Sequence, residues 1–224
     1  MSTFRLDFPS NVLFERMLRI VDDAGARYGR AFPWTFGGGT VLALRHSHRF
    51  SKDIDIFVPD PQYLGYLSPR LSDVAALEDP DYEEGAEFLK LRYSEGEVDF
   101  VVAQRLTAPG SERAIVQGRT VDLETDVEIV AKKLHHRGDR LRARDLFDLA
   151  LVLERVPSSQ TLLSPWARHH RASIRQSLTN RLESLRPTFE GIDVRGYRPS
   201  LEEAARRAIV FIDSIEADLP PASD

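Results

Sequence analysis

The sequence predicts an α+β fold. Residues 1–124 read as strands with helices, and residues 125–224 as a helical region. Three observations lead to this. The stretches 54–58, 88–93, 97–103 and 113–123 alternate with the period of two of half-buried strands, and all precede residue 124. Beyond that point apolar residues recur at three- and four-residue spacing. Helix-start signals stand at Thr125 with Glu128 and at Ser200 with Glu203, where Ser/Thr and Glu side chains can satisfy free backbone donors.

The first helix is expected over residues 10–28, with Ser10 as its cap and Leu13, Phe14, Met17, Leu18, Val21 and Ala24 on one face. Pro33-Trp34-Thr35-Phe36 makes an extended approach to a glycine turn, and a short helix over 40–46 follows. Residues 48–52 form a loop, and 54–58 a strand that ends at Pro59. The stretch 62–78 is weakly helical and divided by Pro69. Residues 78–85 read as an acidic turn. Strands 88–93 and 97–103 are joined by Ser94-Glu95-Gly96. Strands within 113–123 turn at Gln117-Gly118. Helices then cover about 125–137 and 142–154, and 156–163 reads as a linker. Ser164-Pro165 starts a helix carrying Ala167, Ile174, Leu178, Leu182 and Leu185, and a last helix runs to about Ala217 before a frayed tail.

Composition narrows the function. With 224 residues, 42% hydrophobic and 29% charged, the chain can bury a proper core. It has no cysteine, which rules out disulfides and thiolate metal sites. There is no signal-peptide core and no apolar run long enough for a bilayer, so a cytoplasmic protein without membrane partners is expected. The net charge of −5 gives no global attraction to nucleic acid, so any such contact needs a local basic patch.

Asp53 and Asp55, two apart on a strand, project to one face, opposite Ile54 and Ile56. Asp99, on the strand 97–103, lies on the face away from Val98 and Phe100. Unpaired neighbouring carboxylates repel, so such a set calls for a cation. Three oxygen-donor residues from two strands can hold two divalent ions about 3.5–4 Å apart. Mg²⁺ (or Mn²⁺) is typically shared between carboxylates and substrate phosphates. Gly37, Gly38, Gly39 and Thr40 stand where a strand becomes a helix, and can bring backbone donors and a hydroxyl to a phosphate. No Lys-Ser/Thr pair follows, so this is not a P-loop. Taken singly, each motif has a bland reading as a solvated strand edge or a plain tight turn.

Lys133 has the point charge that suits a triphosphate. Asp145 and Asp148, three apart, share a helix face, and Arg144 with Asp148 has the spacing of an ordinary surface pair. Lys90 and Arg92, with Arg45 and Arg49, suit either a positive rim or solvated edges. The histidines come as His46/His48, His135/His136 and His169/His170. They make no zinc set by spacing, and only His48 lies near the aspartate loop.

The stretch GGGTVLALRHSHRFSKDIDIF resembles the opening motif of the DNA polymerase β-like nucleotidyltransferases, above all the AbiEii/AbiGii toxin branch. Its pattern falls on Gly38, Gly39, Thr40, Leu42, His48, Arg49, Ser51, Asp53 and Asp55. A second match, a Lys-Leu helix followed by an Arg-Asp-x-x-Asp-Leu helix, falls on Lys133-Leu134 and on Arg144, Asp145, Asp148 and Leu149. The resemblance spans about residues 36–153, in order. It implies a polymerase β-like core with a helical C-terminal region. Divalent metal is implied at Asp53, Asp55 and Asp99, and NTP contacts at Gly38, Gly39, Thr40, Arg49, Ser51 and Lys133. Asp145 or Asp148 becomes a further essential carboxylate.

The resulting expectation is metal-dependent transfer of NMP from an NTP to an acceptor hydroxyl of RNA, the tRNA 3′ end first. The chain would be the toxin of a toxin–antitoxin or phage-defence pair, with a cognate antitoxin as partner. Two alternatives stand beside it: an aminoglycoside-like small-molecule acceptor, and an inactive nucleotide- or partner-binding module.

Overall fold

The computed structural model describes residues 1–215. The chain forms two compact units, Met1–Thr125 and Asp126–Asp224. The first is built on an eight-stranded mixed sheet in the order β1-β7-β8-β2-β3-β6-β5-β4. Its strands are β1 (Thr3–Phe4), β2 (Thr35–Gly37), β3 (Ile54–Val58), β4 (Asp81–Glu84), β5 (Phe88–Tyr93), β6 (Gly96–Val102), β7 (Ser111–Val116) and β8 (Arg119–Glu124).

The register explains how alternation becomes two faces. Ile54, Val98 and Leu91 pair in one row, and Phe36, Ile56, Phe100 and Leu89 in another. All seven are buried. Helix α1 (Ser10–Tyr28) belongs to this face: its Leu13, Phe14, Met17, Ile20, Val21 and Ala24 are buried, and the Phe14 and Phe36 ring centroids lie 5.3 Å apart. Gly29, at φ 77°, ends the helix in the left-handed conformation that glycine tolerates. The opposite face carries the charged rows.

Several local expectations change. Ser10 is the first helical residue rather than the cap; its hydroxyl instead donates to the Ser51 carbonyl at 3.1 Å. The acidic stretch 78–85 contains the edge strand β4, antiparallel to β5, because Arg92 of β5 pairs with Glu83 at 2.6 Å and offsets its charge. The two-residue strand β1, too short for any pattern, pairs parallel to β7. Between β3 and β4 come α3 (Leu64–Leu67) and α4 (Asp73–Leu77), separated around Pro69, with Ser72 capping α4. Gln117 (φ 50°) and Gly118 (φ 78°) turn β7 into β8, both left-handed as a tight hairpin requires.

The second unit is helical: α5 (Asp126–Arg137), α6 (Ala143–Arg155), α7 (Ser159–Arg168), α8 (Arg171–Asn180), α9 (Leu182–Glu190) and α10 (Leu201–Ser214). The expected linker 156–163 is partly helix, since α7 begins at Ser159 and Pro165 sits inside it. Proline removes the bond to Thr161, and both residues are exposed, so water can serve that carbonyl. The expected single helix after Ser164 is therefore three, α7, α8 and α9. Ser200 and Glu203 form the reciprocal capping box at the start of α10. The expected continuation to Ala217 and the tail lie outside the described residues. Among the described residues no helix is long and apolar enough to cross a membrane.

Candidate active site

The charged face of the sheet is organised by one row. Gly37 of β2 pairs with Asp55 of β3, Asp55 with Asp99 of β6, Asp99 with Lys90 of β5, and Lys90 with Glu83 of β4. Directly paired residues share a face, so two carboxylates stand side by side with a glycine on one flank and an ammonium on the other. Strand β3 puts Asp55 there because Ile54, Ile56 and Val58 take the buried positions on either side of it.

The glycine turn leads into α2 (Gly38–His46) and is shaped to these side chains. Gly38 has φ 72°, and a Cβ on it would run into the Asp55 carboxylate. In the same way a Cβ on Gly37 would strike Glu124, and one on Gly39 the Arg49 guanidinium, with Ser51 Oγ 3.3 Å away. A side chain of another segment thus stands against each glycine. Thr40 works on the neighbouring loop: its hydroxyl lies 2.5 Å from the Asp53 carbonyl and 3.0 Å from Ser51 Oγ. This clamp fixes the segment that enters β3.

Asp53, just before β3, accepts the Glu97 backbone N–H at Oδ1 (3.2 Å) and sits against Gly96. Asp99 is held by Lys90, whose Nζ lies 2.9 Å from each carboxylate oxygen and 2.7 Å from Glu97 Oε2. Burial pushes the Asp99 carboxyl above its ordinary pKa; Lys90 opposes this, and the charges of Glu97 and Asp53 reinforce it. Burial works against the Lys90 ammonium, but its bonds to Glu97 and Asp99 leave its pKa raised. The bond to Lys90 holds Glu97 below its usual value.

These residues fit a hard divalent cation by chemistry: carboxylate oxygens only, two of them from residues in register, beside a cradle that a Cβ would fill. Among the described residues, no three His, Cys, Asp or Glu are grouped closely enough to hold a metal ion. Asp53 is bonded to β6, and Asp99 to Lys90.

The basic residues take other places. Arg45 donates to the Glu124 carbonyl (2.5 Å) and pairs with Glu112 (2.9 Å). Arg49 is buried and donates to the Phe50 carbonyl at 3.2 Å, and His48 is fully buried. Arg92 pairs with Glu83. Sequence reasoning missed Glu124, a buried carboxylate at Gly37 that accepts the Thr35 hydroxyl at 2.9 Å. Its signal was faint: it lies one step past the apolar Val121 and Leu123, and only the β2–β8 pairing brings it to the glycines.

In the second unit, Lys133 Nζ lies 2.9 Å from Asp145 Oδ1 and 2.8 Å from Asp148 Oδ2. Asp145 is 3% exposed and Asp148 is 0% exposed. Asp145 Oδ2 also accepts the Arg142 N–H at 3.2 Å, at the start of α6. The two aspartates do share a helix face, and what they face is Lys133. Lys132, next to it, is buried 3.5 Å from Glu128.

The fold resembles that of JHP933 from Helicobacter pylori, with 16% identity, a TM-score of 0.52, and 94% of this chain and 93% of that one covered. A second H. pylori protein, described as a candidate nucleotidyltransferase, aligns over 94% of this chain and 96% of its own at 18% identity and a TM-score of 0.49. No curated protein matches the sequence. The family model of the nucleotidyl transferase AbiEii toxin, of the type IV toxin–antitoxin system, matches residues 26–214 and so takes in the glycine turn, the aspartate row and the Lys133 helix pair. The chain therefore belongs to the AbiEii toxin family and is a nucleotidyltransferase.

Proposed function

We propose that this nucleotidyltransferase moves NMP from an NTP to a hydroxyl of RNA, the tRNA 3′ end first, as a cytoplasmic toxin restrained by a cognate antitoxin. The observation that carries the reading is the in-register Asp55–Asp99 pair facing Gly38. Asp55 and Asp99, with Asp53 as a third, would hold Mg²⁺ or Mn²⁺. Bound there, such ions activate the attacking oxygen and neutralise charge on the triphosphate.

The chain's own residues do the rest. Gly38 and Gly39 let backbone N–H groups at the start of α2 approach an anionic phosphate. Thr40 and Ser51 keep the loop before β3 in place, so that Asp53 and Asp55 hold their spacing. Arg49, lodged against Gly39, adds positive charge beside the turn. The family resemblance gives Lys133 as a triphosphate contact, and its ammonium is held by Asp145 and Asp148. In the transfer the acceptor hydroxyl gives up its proton to solvent, its oxygen bonds to the α-phosphorus, the bond from that phosphorus to the oxygen bridging to the β-phosphate breaks, and pyrophosphate leaves.

The test is nucleotide transfer. Purified protein meets each labelled NTP with Mg²⁺ and total cellular RNA, beside Asp55→Ala. Labelled RNA that the variant does not make supports the reading and identifies the base. Metal-dependent NTP binding without labelled RNA sinks the RNA acceptor. A second reading, a small cationic acceptor of aminoglycoside type, is favoured by the net charge of −5. Drug modification and resistance on expression would distinguish it.

A further inference from the structure

Two of the three histidine pairs, His135/His136 and His169/His170, belong to the second unit. Their four rings come together at the ends of α5 and α7. The His135 and His136 centroids are 4.8 Å apart, His135 and Trp166 5.7 Å, and His169 and His170 5.0 Å. His170 Nε2 lies 3.1 Å from the His135 carbonyl. A carbonyl only accepts, so Nε2 carries the proton. Gly138 makes room for this ring: a Cβ there would come within 2.6 Å of the His170 ring. The arrangement is thus fixed by packing, yet His135, His136 and His169 are exposed and Trp166 is half-buried.

The contacts are edge-to-face, with interplanar angles of 75°, 86° and 82°. In such a pair one ring presents only its rim and leaves its faces uncovered by that partner. Arg137 and Arg140 follow the first histidine pair in sequence, with Asp139 between them, and Arg168 and Arg171 flank the second. Arg137 lies 3.8 Å from Asp145, Arg140 pairs with Asp139 at 3.1 Å, and Arg171 donates to the Ile212 carbonyl at 3.1 Å. Between Arg155 and Arg181 there is no acidic residue at all, although the whole chain is acidic. Exposed rings set among guanidinium groups suit a ligand that carries both flat π-faces and repeated phosphates.

We infer that the surface formed by His135, His136, Trp166, His169 and His170, with Arg137 and Arg168, binds single-stranded RNA, its bases on the rings and its phosphates on the arginines. This rests on the RNA-acceptor reading above and names the surface that would hold the acceptor strand. Most of the chain's excess negative charge lies in the first unit, so the strand needs this local patch to be held.

The test measures binding without NTP, so it does not depend on transfer. A fluorescein-labelled single-stranded RNA of about 12 nucleotides is titrated with the full chain, and anisotropy is followed at several salt concentrations. Trp166→Ala should weaken binding on the order of tenfold, and Trp166→Phe should restore most of it. Arg168→Gln should flatten the salt dependence by about 0.7 in the log–log slope, the value for one lost phosphate contact on a single strand. Circular dichroism checks that each variant is folded. If the wild-type chain fails to bind at low salt, or folded Trp166→Ala binds as wild type does, the inference is overturned, and the patch is left to a protein partner. RNA binding that these variants weaken, in a protein that transfers no nucleotide to RNA, would keep the surface and discard the acceptor reading.

Discussion

Gly38 and Asp55 define the site at the scale of single residues. Gly38 is left-handed at φ 72°, and its missing Cβ is the space the Asp55 carboxylate occupies. Gly38→Ala therefore meets two obstacles: a backbone cost of about 1–3 kcal/mol and a forced displacement of Asp55. The variant is expected to melt lower than wild type and to lose nucleotide transfer, whereas Gly118→Ala, with nothing near its Cβ, should cost only backbone strain. Transfer assays and thermal melts on both would check this. Glu78 gives a second residue-level test. Its bond from Arg19 and, after the opposing effect of burial, its bond from Arg16 hold its pKa below the usual value. Folding therefore gains stability from this carboxylate above its unfolded pKa, and loses it as pH falls through the lower folded pKa. Urea unfolding between about pH 5 and about pH 3 should show a shallower loss in Glu78→Gln than in wild type.

At the scale of elements, the sheet row and the α5–α6 pair behave differently. Asp55 and Asp99 are like charges in register on neighbouring parallel strands, and Lys90 is bonded to Asp99. At Lys133 one ammonium between two helices serves two buried carboxylates. Removing it takes the 2.9 and 2.8 Å contacts from Asp145 and Asp148, although Arg137 stays 3.8 Å from Asp145. Lys133→Met is expected to destabilise by about 3–5 kcal/mol, and by more than Asp148→Asn, which leaves the Lys133–Asp145 pair in place. Urea midpoints would rank the two. A Lys133→Met protein of unchanged stability that has only lost NTP affinity would reject this account and leave a purely phosphate-binding lysine. The pairing explains why spacing alone favoured a surface reading of this segment. The three-residue step put Asp145 and Asp148 on one face, but nothing in it showed that the face was buried against α5.

At the scale of the whole molecule, the proposed metal site is testable by linkage. A cation that binds only the folded site adds stability that grows with its concentration above the dissociation constant. Mg²⁺ is expected to raise the melting temperature of the wild-type chain, and EDTA to reverse the rise. Asp55→Asn should not respond to Mg²⁺. Equal Mg²⁺ shifts in both proteins would place the cation elsewhere.

Much of this was legible in the amino-acid sequence, because it depends on neighbours along the chain. Alternation of Ile54, Ile56 and Val58 placed Asp55 on the opposite face, the α1 stripe marked its buried side, and Ser200 with Glu203 marked the start of α10. Glycine and proline positions marked turns, although Pro165 misled because an exposed helix can keep a proline. The resemblance carried by the two motifs led to the family. What only the tertiary structure decided is which strands meet. The order β8-β2-β3-β6-β5 sets Glu124 at Gly37, Asp55 against Asp99, and Lys90 on Asp99. It also made β4 a strand by pairing its acids with Arg92. Periodicity records the direction of each side chain from its own backbone. Register and partner choice arise from contacts between distant segments, and no local pattern encodes them.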